Sequence, residues 1–385
     1  MSLTHNISNQ KMNNNITEIF SPRFEGDRFK EHRLPLDLLE DLSTLRDMTI
    51  EMAKHIYLEE NPNRKRVPKN FTKGISFELE SLEEGSTIPK IIMISTMIGL
   101  FARQNTTFFE QAKDRIIQAV QASDTDNNIN EFAPDNVLNY FNKFGKKLRA
   151  DEFVEFNPKG KEKAKFTKEN RRKLILASSK SNEYTEEIKL RGFISEMDQA
   201  KKTFHIQFID EKRVESSYTE LEEDILKTAF LDYSKKQKVL INGTGKFSKS
   251  SKLLKMEKID EIILLENNDV GFRLEEFSIL KDGWLNGEGI SFDSDSLNWI
   301  SDKFEDDYDP ELPTPSIFPT PEGNIQMEWS SPKFELSLNI DISKHTALFQ
   351  VLNLENDNDS ETELNLELND DWKKINSEVK TIMEV

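Results

Sequence analysis

The chain has 385 residues, 36% hydrophobic and 32% charged, with a formal net charge of −18. That length suits about two or three domains, and the absence of cysteine excludes disulfides, thiol chemistry and the commonest zinc ligands. No apolar run reaches the roughly 18 residues of a membrane span, and the polar, Asn-rich start lacks the apolar core of a signal peptide, so a cytoplasmic protein with no membrane partner is expected.

Residues 1–33 are rich in Asn and Ser and poor in aliphatics, the composition of a flexible leader. Pro35 opens a helix in which Leu38, Leu42, Leu45, Met52 and Ile56 recur at three-, four- and seven-residue spacing, a core stripe. Pro62 ends it, and Arg64-Lys65-Arg66 follows as a solvated loop or a phosphate contact. Ile75, Phe77 and Leu79 alternate as a strand, Gly85-Ser86 turns the chain, and Ile91 to Ile94 can pair back. Phe108, Phe109, Ala112, Ile116, Ala119 and Val120 form a second helical stripe. Asp135 is placed to cap a short helix with its carboxylate. Residues 34–140 therefore read as an N-terminal α+β domain.

Residues 141–184 read as a basic linker with a helical segment. Between Phe141 and Lys180 stand 13 Lys/Arg against five Asp/Glu. Lys143, Lys146, Lys147, Arg149, Lys159, Lys161, Lys163, Lys165, Arg171 and Arg172 are the candidate nucleic-acid-binding residues, because phosphate backbones attract such clusters through counterion release. Phe141, Phe144, Phe153 and Phe156 are near enough in sequence to stack on bases. Two competing readings are a solvated linker and a patch that neutralises the acidic C-terminal part of the same chain.

Residues 185–266 read as a small β-barrel, its strands lying between Ile188 and Leu265. Ile188, Leu190 and Ile194 open one strand, with Gly192 inside it. Phe204, Ile206 and Phe208 alternate in the next, and a short run from Val214 to Tyr218 makes a third. Leu221, Ile225, Leu226 and Phe230 have helical spacing. Val239 to Gly243 continues through Gly245 and Phe247, and the last strand, Leu253 to Leu265, should bury Met256, Ile259 and Ile263. Five strands and one helix, with glycines at the bends, suit an OB-like or SH3-like barrel. Alternation turns the rings of Phe204 and Phe208 inward, which favours a core over a base-stacking platform.

Residues 267–385 form the acidic part. From Glu266 onward there are 28 Asp/Glu and 8 Lys/Arg, whereas the preceding 265 residues hold 42 and 44. The low overall pI of 4.9 therefore describes the C-terminal region and does not exclude nucleic acid elsewhere. Three glycines flank Trp284 in a tight loop, and Asp293 to Asp295 starts a helix with Leu297, Ile300 and Phe304 inward. Pro313, Pro315, Pro319 and Pro321 hold the next segment extended. A turn at Pro321-Glu322-Gly323-Asn324 leads into strands marked by Ile325, Met327 and Trp329, then Phe334 to Ile342, Ala347 to Val351, and Leu364 to Leu368. Trp372, Ile375, Val379 and Ile382 mark a closing helix. The fold class is thus multidomain α+β: an N-terminal α+β domain, a central OB/SH3-like barrel, and a C-terminal α+β domain whose antiparallel sheet has one face covered.

Signatures of chemistry are missing. The five histidines lack metal-ligand spacing, and no phosphate loop, dinucleotide fingerprint or nucleophile elbow occurs. Glu187-Ile188-Lys189 has a form used by some metal nucleases, but such tripeptides are frequent in a chain this charged. No catalytic residue, cofactor or metal site is assigned. The leading expectation is a non-catalytic binding or adaptor protein that engages a basic protein partner through the acidic domain, in an antitoxin-like or defence-accessory role. Trp284, Glu322, Gln326 and Glu328 are the candidate protein-binding residues. One alternative is a single-stranded nucleic-acid binder built from the linker and barrel; another is a hydrolase or nuclease with a site assembled from distant residues.

Overall fold

A computed structural model describes residues 14–30, 33–83, 87–96, 102–125, 127–160, 163–179, 181–232 and 237–383. The chain is mixed α+β and divides into two units, Met1–Glu187 with Gly245–Leu254, and Ile188–Thr244 with Lys255–Val385. By composition the first holds 32 Lys/Arg and 29 Asp/Glu, the second 20 and 41.

The first unit begins with β1 (Asn14–Phe20) and β2 (Arg23–Glu25), so the stretch expected as a flexible leader is folded from Asn14 on. Composition misleads there because β1 is an edge strand. Among the described residues it pairs only with β4, burying Ile19 and Phe20 while Ile16 stays 57% exposed. Next come α1 (Leu39–Glu60), β3 (Ile75–Glu83), β4 (Ile88–Thr96) and α2 (Ala102–Asp124). The stripe read in α1 is buried at Leu45, Met52 and Ile56 and packs with Phe109, Ala112 and Ile116 of α2 in one core. The expected β3–β4 pairing forms, while Gly85 and Ser86 lie outside the described residues.

In α3 (Asp135–Leu138), Asp135 does not cap its own helix; its carboxylate accepts from the Ser179 N–H and hydroxyl. The expected linker is part of this core. It contains β5 (Phe153–Phe156), β6 (Ala164–Phe166) and α4 (Lys168–Ala177), whose Thr167 and Asn170 form a capping box. Phe141, Phe144, Phe156 and Phe166 pack ring against ring with 0–1% exposure.

In the central stretch, β7 (Glu183–Asp198), β8 (Thr203–Gln207), β9 (Arg213–Ser217), α5 (Glu223–Leu231), β10 (Val239–Ser248) and β11 (Leu253–Leu264) follow in order. The strands make a five-stranded half-barrel ordered β11-β10-β7-β8-β9. Two glycines allow close strand approach. A Cβ on Gly192 would lie 2.5 Å from the Gln207 carbonyl oxygen, and one on Gly243 would lie 2.2 Å from that of Lys258. Phe204 and Ile206 are inward as read. In β11, however, burial falls on Met256 and Ile262, with Ile259 intermediate and Ile263 37% exposed. Phe230 of α5 is likewise 37% exposed rather than core.

The acidic part contains α6 (Val270–Phe277), α7 (Ser294–Asp307), β12 (Ser316–Pro319), β13 (Ile325–Ser330), β14 (Phe334–Asp341), β15 (Thr346–Asn353), β16 (Asn358–Asn365) and α8 (Asn369–Met383). Its strands form an antiparallel meander in sequence order. Ile325, Met327, Leu336, Leu338, Ile340 and Phe349 on one face pack with Leu274, Ile300, Trp372 and Ile375 from the helices. Each such side chain contributes roughly 1.5–3 kcal/mol on burial. The proline-rich segment is more than extended. It becomes edge strand β12, and the Pro313 carbonyl accepts from the Tyr308 hydroxyl (2.6 Å) and the Trp329 indole (2.9 Å). Leu368, read as part of the fourth strand, lies beyond it and is 53% exposed.

Candidate functional site

Strand alternation fixes what the uncovered face of the C-terminal sheet shows. When Ile325, Met327 and Trp329 point into the core, Gln326 and Glu328 must point away. The register then lines up cross-strand rows. Glu328, Ser337, Gln350 and Glu361 make one row; Glu335, Leu352 and Asp359 make the next, and Leu348 faces Glu363. The five strands contain six carboxylates (Glu328, Glu335, Asp341, Asp359, Glu361 and Glu363) and no Lys or Arg, and all six carboxylates fall on the uncovered face.

Polar side chains order part of this face. Gln326 Nε2 donates to Glu328 at 2.6 Å, Ser337 Oγ donates to Gln350 at 3.1 Å, and Gln350 Nε2 donates to Glu361 at 2.5 Å. Asp341 is matched locally by Lys344 at 2.6 Å, which holds its carboxyl low, at about 2. Glu335, Asp359 and Glu363 have no side-chain partner among the described residues. A shallow groove of roughly 450 Å³ runs over Glu328, Glu335, Ser337, Gln350, Leu352 and Asp359. Leu352 between two carboxylates suits a long cationic side chain, stem on the leucine and head at the acids.

The other two protein-binding candidates lie at one end of β13. Trp284 is half-buried, and its indole donates to the Ile290 carbonyl at 3.2 Å across Gly289, where a Cβ would meet the ring nitrogen at 2.6 Å. Glu322 is exposed on the turn before β13, which is joined to that loop by the Ile290 N–H donating to Pro321 O at 3.0 Å. The structure thus separates the four candidates into a sheet pair, Gln326 and Glu328, and a loop–turn pair, Trp284 and Glu322.

Beside α6 and α7, the nearly buried Arg191 of β7 is ion-paired with Glu275 (3.5 Å), Asp269 (3.8 Å) and Glu305, and Lys189 reaches Glu305 at 2.7 Å and Asp302 at 3.1 Å. Burial pushes the Glu275 carboxyl up to about 7 against the opposing pull of Arg191. These contacts tie the half-barrel to the acidic layer within the second unit.

No family model, curated protein or solved structure matches the chain.

The basic candidates have a different fate. Arg171 is 1% exposed and donates to the carbonyls of Phe144 (3.2 Å), Asn142 (2.8 Å) and Thr185 (2.8 Å). Arg172 grips Glu186 with two bonds of 2.6 and 2.8 Å. Lys146 and Lys147 share Glu187 at 3.2 and 3.3 Å, Lys159 meets Glu83 at 2.7 Å, and Lys163 meets Glu155 at 3.6 Å. Lys165 sits 4.1 Å above the Phe153 ring. The main-chain N–H of Arg149 donates to Glu152, and its side chain and Lys143 are exposed. Lys161 lies outside the described residues. Of the four candidate stacking rings, Phe141, Phe144 and Phe156 are core. Glu187 and Lys189 of the nuclease-like tripeptide are each occupied by the ion pairs given above.

His205, between Glu196 and Glu215 at 3.6 and 3.7 Å, is on the outer face of the half-barrel, where β8 and β9 carry no aromatic side chain. Among the described residues no three of His, Asp and Glu converge to hold a metal, and no helix is long and apolar enough to cross a membrane.

Sequence reading missed Glu335, Leu352, Asp359, Glu361 and Glu363. Glu335 is an off-beat position of a strand whose on-beat positions are assigned to the core, whereas Asp359, Glu361 and Glu363 precede Leu364, where the fourth strand is expected to begin.

Proposed function

We propose that the protein is a binding protein that docks a basic protein segment on the open face of its C-terminal sheet. The observation that carries this reading is the complete segregation of charge in that sheet: six carboxylates and no cation, all on the face the helices leave uncovered. A single-signed face raises the encounter rate with a basic partner and disfavours acidic ones. Six like charges gathered on one face also repel one another, a repulsion that a cationic partner seated on the face relieves. Trp284 and Glu322 extend the surface at one end of β13. A basic toxin or effector is the class of partner that fits, giving the antitoxin-like role. The half-barrel is proposed to be OB-like, since its strand order and the helix between its third and fourth strands match that design. Met256 N–H donates to Ser216 Oγ at 2.9 Å, bringing the last strand beside the third as closure requires. In this protein it serves as the body to which the acidic layer is anchored.

The test is titration of the full chain with a labelled 20-residue Arg/Lys-rich peptide. The docking variant is E328Q/E335Q/D359N/E361Q/E363Q. The control, E257Q/E266Q/D295N/E311Q/E378Q, changes net charge equally at exposed positions of the same unit. The docking variant should weaken binding at least about tenfold, or 1.4 kcal/mol, more than the control. Equal losses in the two variants would reduce the attraction to bulk charge and sink the assignment of the face.

A further inference from the structure

The loop between α1 and β3, residues 61–74, carries Arg64, Lys65, Arg66, Lys69 and Lys73 and no acidic residue. All five cations are exposed, and among the described residues none has an ion-pair or side-chain hydrogen-bond partner. The carboxylates just before the loop are engaged elsewhere. Glu59 pairs with Arg115 (2.7 Å) and His55 (3.1 Å), and Glu60 accepts from Gln111 (3.3 Å). The dipole of α1 does not explain the cluster either. Its favourable effect on cations is confined to the last helical turn, which holds no basic residue.

The loop is also built. Asn61 caps the end of α1 by donating from Nδ2 to Tyr57 O at 2.8 Å. Pro62 and Pro68 restrict its backbone, and turn hydrogen bonds join Arg64 to Asn61, Phe71 to Pro68, Lys73 to Asn70 and Ile75 to Thr72. Phe71, 2% exposed, anchors it among Tyr57, Phe108 and Phe109. Five like charges are thus held on one loop, whereas Lys146, Lys147, Lys159, Lys163, Arg171 and Arg172 around α4 have carboxylate or carbonyl partners.

We propose that this loop is a docking site for the phosphate backbone of a nucleic acid. Arginine forks match phosphate oxygens and lysines add point charge, and a strand supplies one anion per nucleotide at regular spacing. A membrane surface fits less well. The loop has no exposed large apolar side chain to enter the acyl layer, since Phe71 is core and Val67 is half-buried. With no exposed aromatic ring to stack on bases, recognition is of the backbone and independent of sequence. The inference does not rest on the acidic sheet face and involves the other unit of the chain.

The experiment is fluorescence anisotropy of the full chain with labelled single- and double-stranded oligonucleotides across a salt series, beside vesicles of phosphatidylserine and phosphatidylcholine. Binding should weaken steeply with salt, show no sequence preference and be absent on vesicles. R64Q/K65Q/R66Q should lower the log–log salt slope by about 2–3. K159Q/K163Q, which removes cations already paired, should leave the slope unchanged. In the wild-type chain, oligonucleotide should also protect Lys65, Lys69 and Lys73 from acetylation. No salt-sensitive binding, an unaltered slope in the triple variant, a loss as large in the paired-lysine control, or binding to vesicles alone would each overturn the proposal.

Discussion

Two basic stretches of the first unit look alike in sequence and differ in the fold. Around α4, Lys146 and Lys147 pair with Glu187, Lys159 with Glu83, Lys163 with Glu155 and Arg172 with Glu186, and Arg171 donates to three carbonyls. In the loop after α1, five cations have been left to solvent. The lesson is that charge density along a chain reports little about binding until each charge has been asked what it faces. The same question separates the sheet carboxylates, where Asp341 has Lys344 and Glu335 has no side-chain partner among the described residues.

The comparison can be broken most severely at Arg171. Replacement by Met removes the donor that these three carbonyls share and should cost on the order of 3–5 kcal/mol in urea unfolding. A loss below about 1 kcal/mol would mean that the guanidinium is not a structural part. Asp41 comes next. It is 2% exposed, accepts from the Gly145 N–H at 3.2 Å, and is pushed by burial up to about 7. Its folded value lies above the ordinary 3.8, so between about pH 4 and 7 the folded state holds a proton that the unfolded state has released. Stability therefore falls as pH rises through that window, by at most about 1.4 kcal/mol per pH unit. Asp41→Asn should flatten that slope and raise stability at pH 8; an unchanged pH profile would count against the burial argument.

Smaller effects sharpen the contrast. Lys146→Gln or Lys147→Gln removes one partner of a half-exposed pair and should change stability by about 0–1 kcal/mol. The smallest effect belongs to Glu335→Gln, an exposed position with no partner among the described residues, which should stay within about 0.5 kcal/mol in thermal unfolding. A larger loss there would give that carboxylate a structural role and remove it from the docking face.

Periodicity made much of the fold legible. The stripes of α1 and α2, the alternation in β8 and β14, and the Asp293 cap of α7 were all readable because local pattern and tertiary burial agree. Failures came where context overrides local chemistry. Asn14–Phe20 begins with polar residues yet forms a strand, because its backbone pairs with β4 and its end buries Ile19 and Phe20. Asp135 prefers the Ser179 backbone to its own helix end. In β11 the least exposed positions fall every third residue, Met256, Ile259 and Ile262, so Ile263, expected inside, faces outward. The site was half legible. Gln326 and Glu328 follow from β13 alone, but grouping them with Asp359 and Glu361 needs the register of four strands. The pairing of the basic stretch could not be read at all, since Glu83 and Lys159 lie 76 residues apart.

Carboxyl footprinting of the full chain, free and saturated with the Arg/Lys-rich peptide, tests the docking face most directly. Glu335, Asp359 and Glu363 should lose reactivity on binding while Glu257, Glu266 and Glu311 keep theirs. Equal protection of both sets, or full reactivity of the sheet carboxylates in the bound state, would contradict the account.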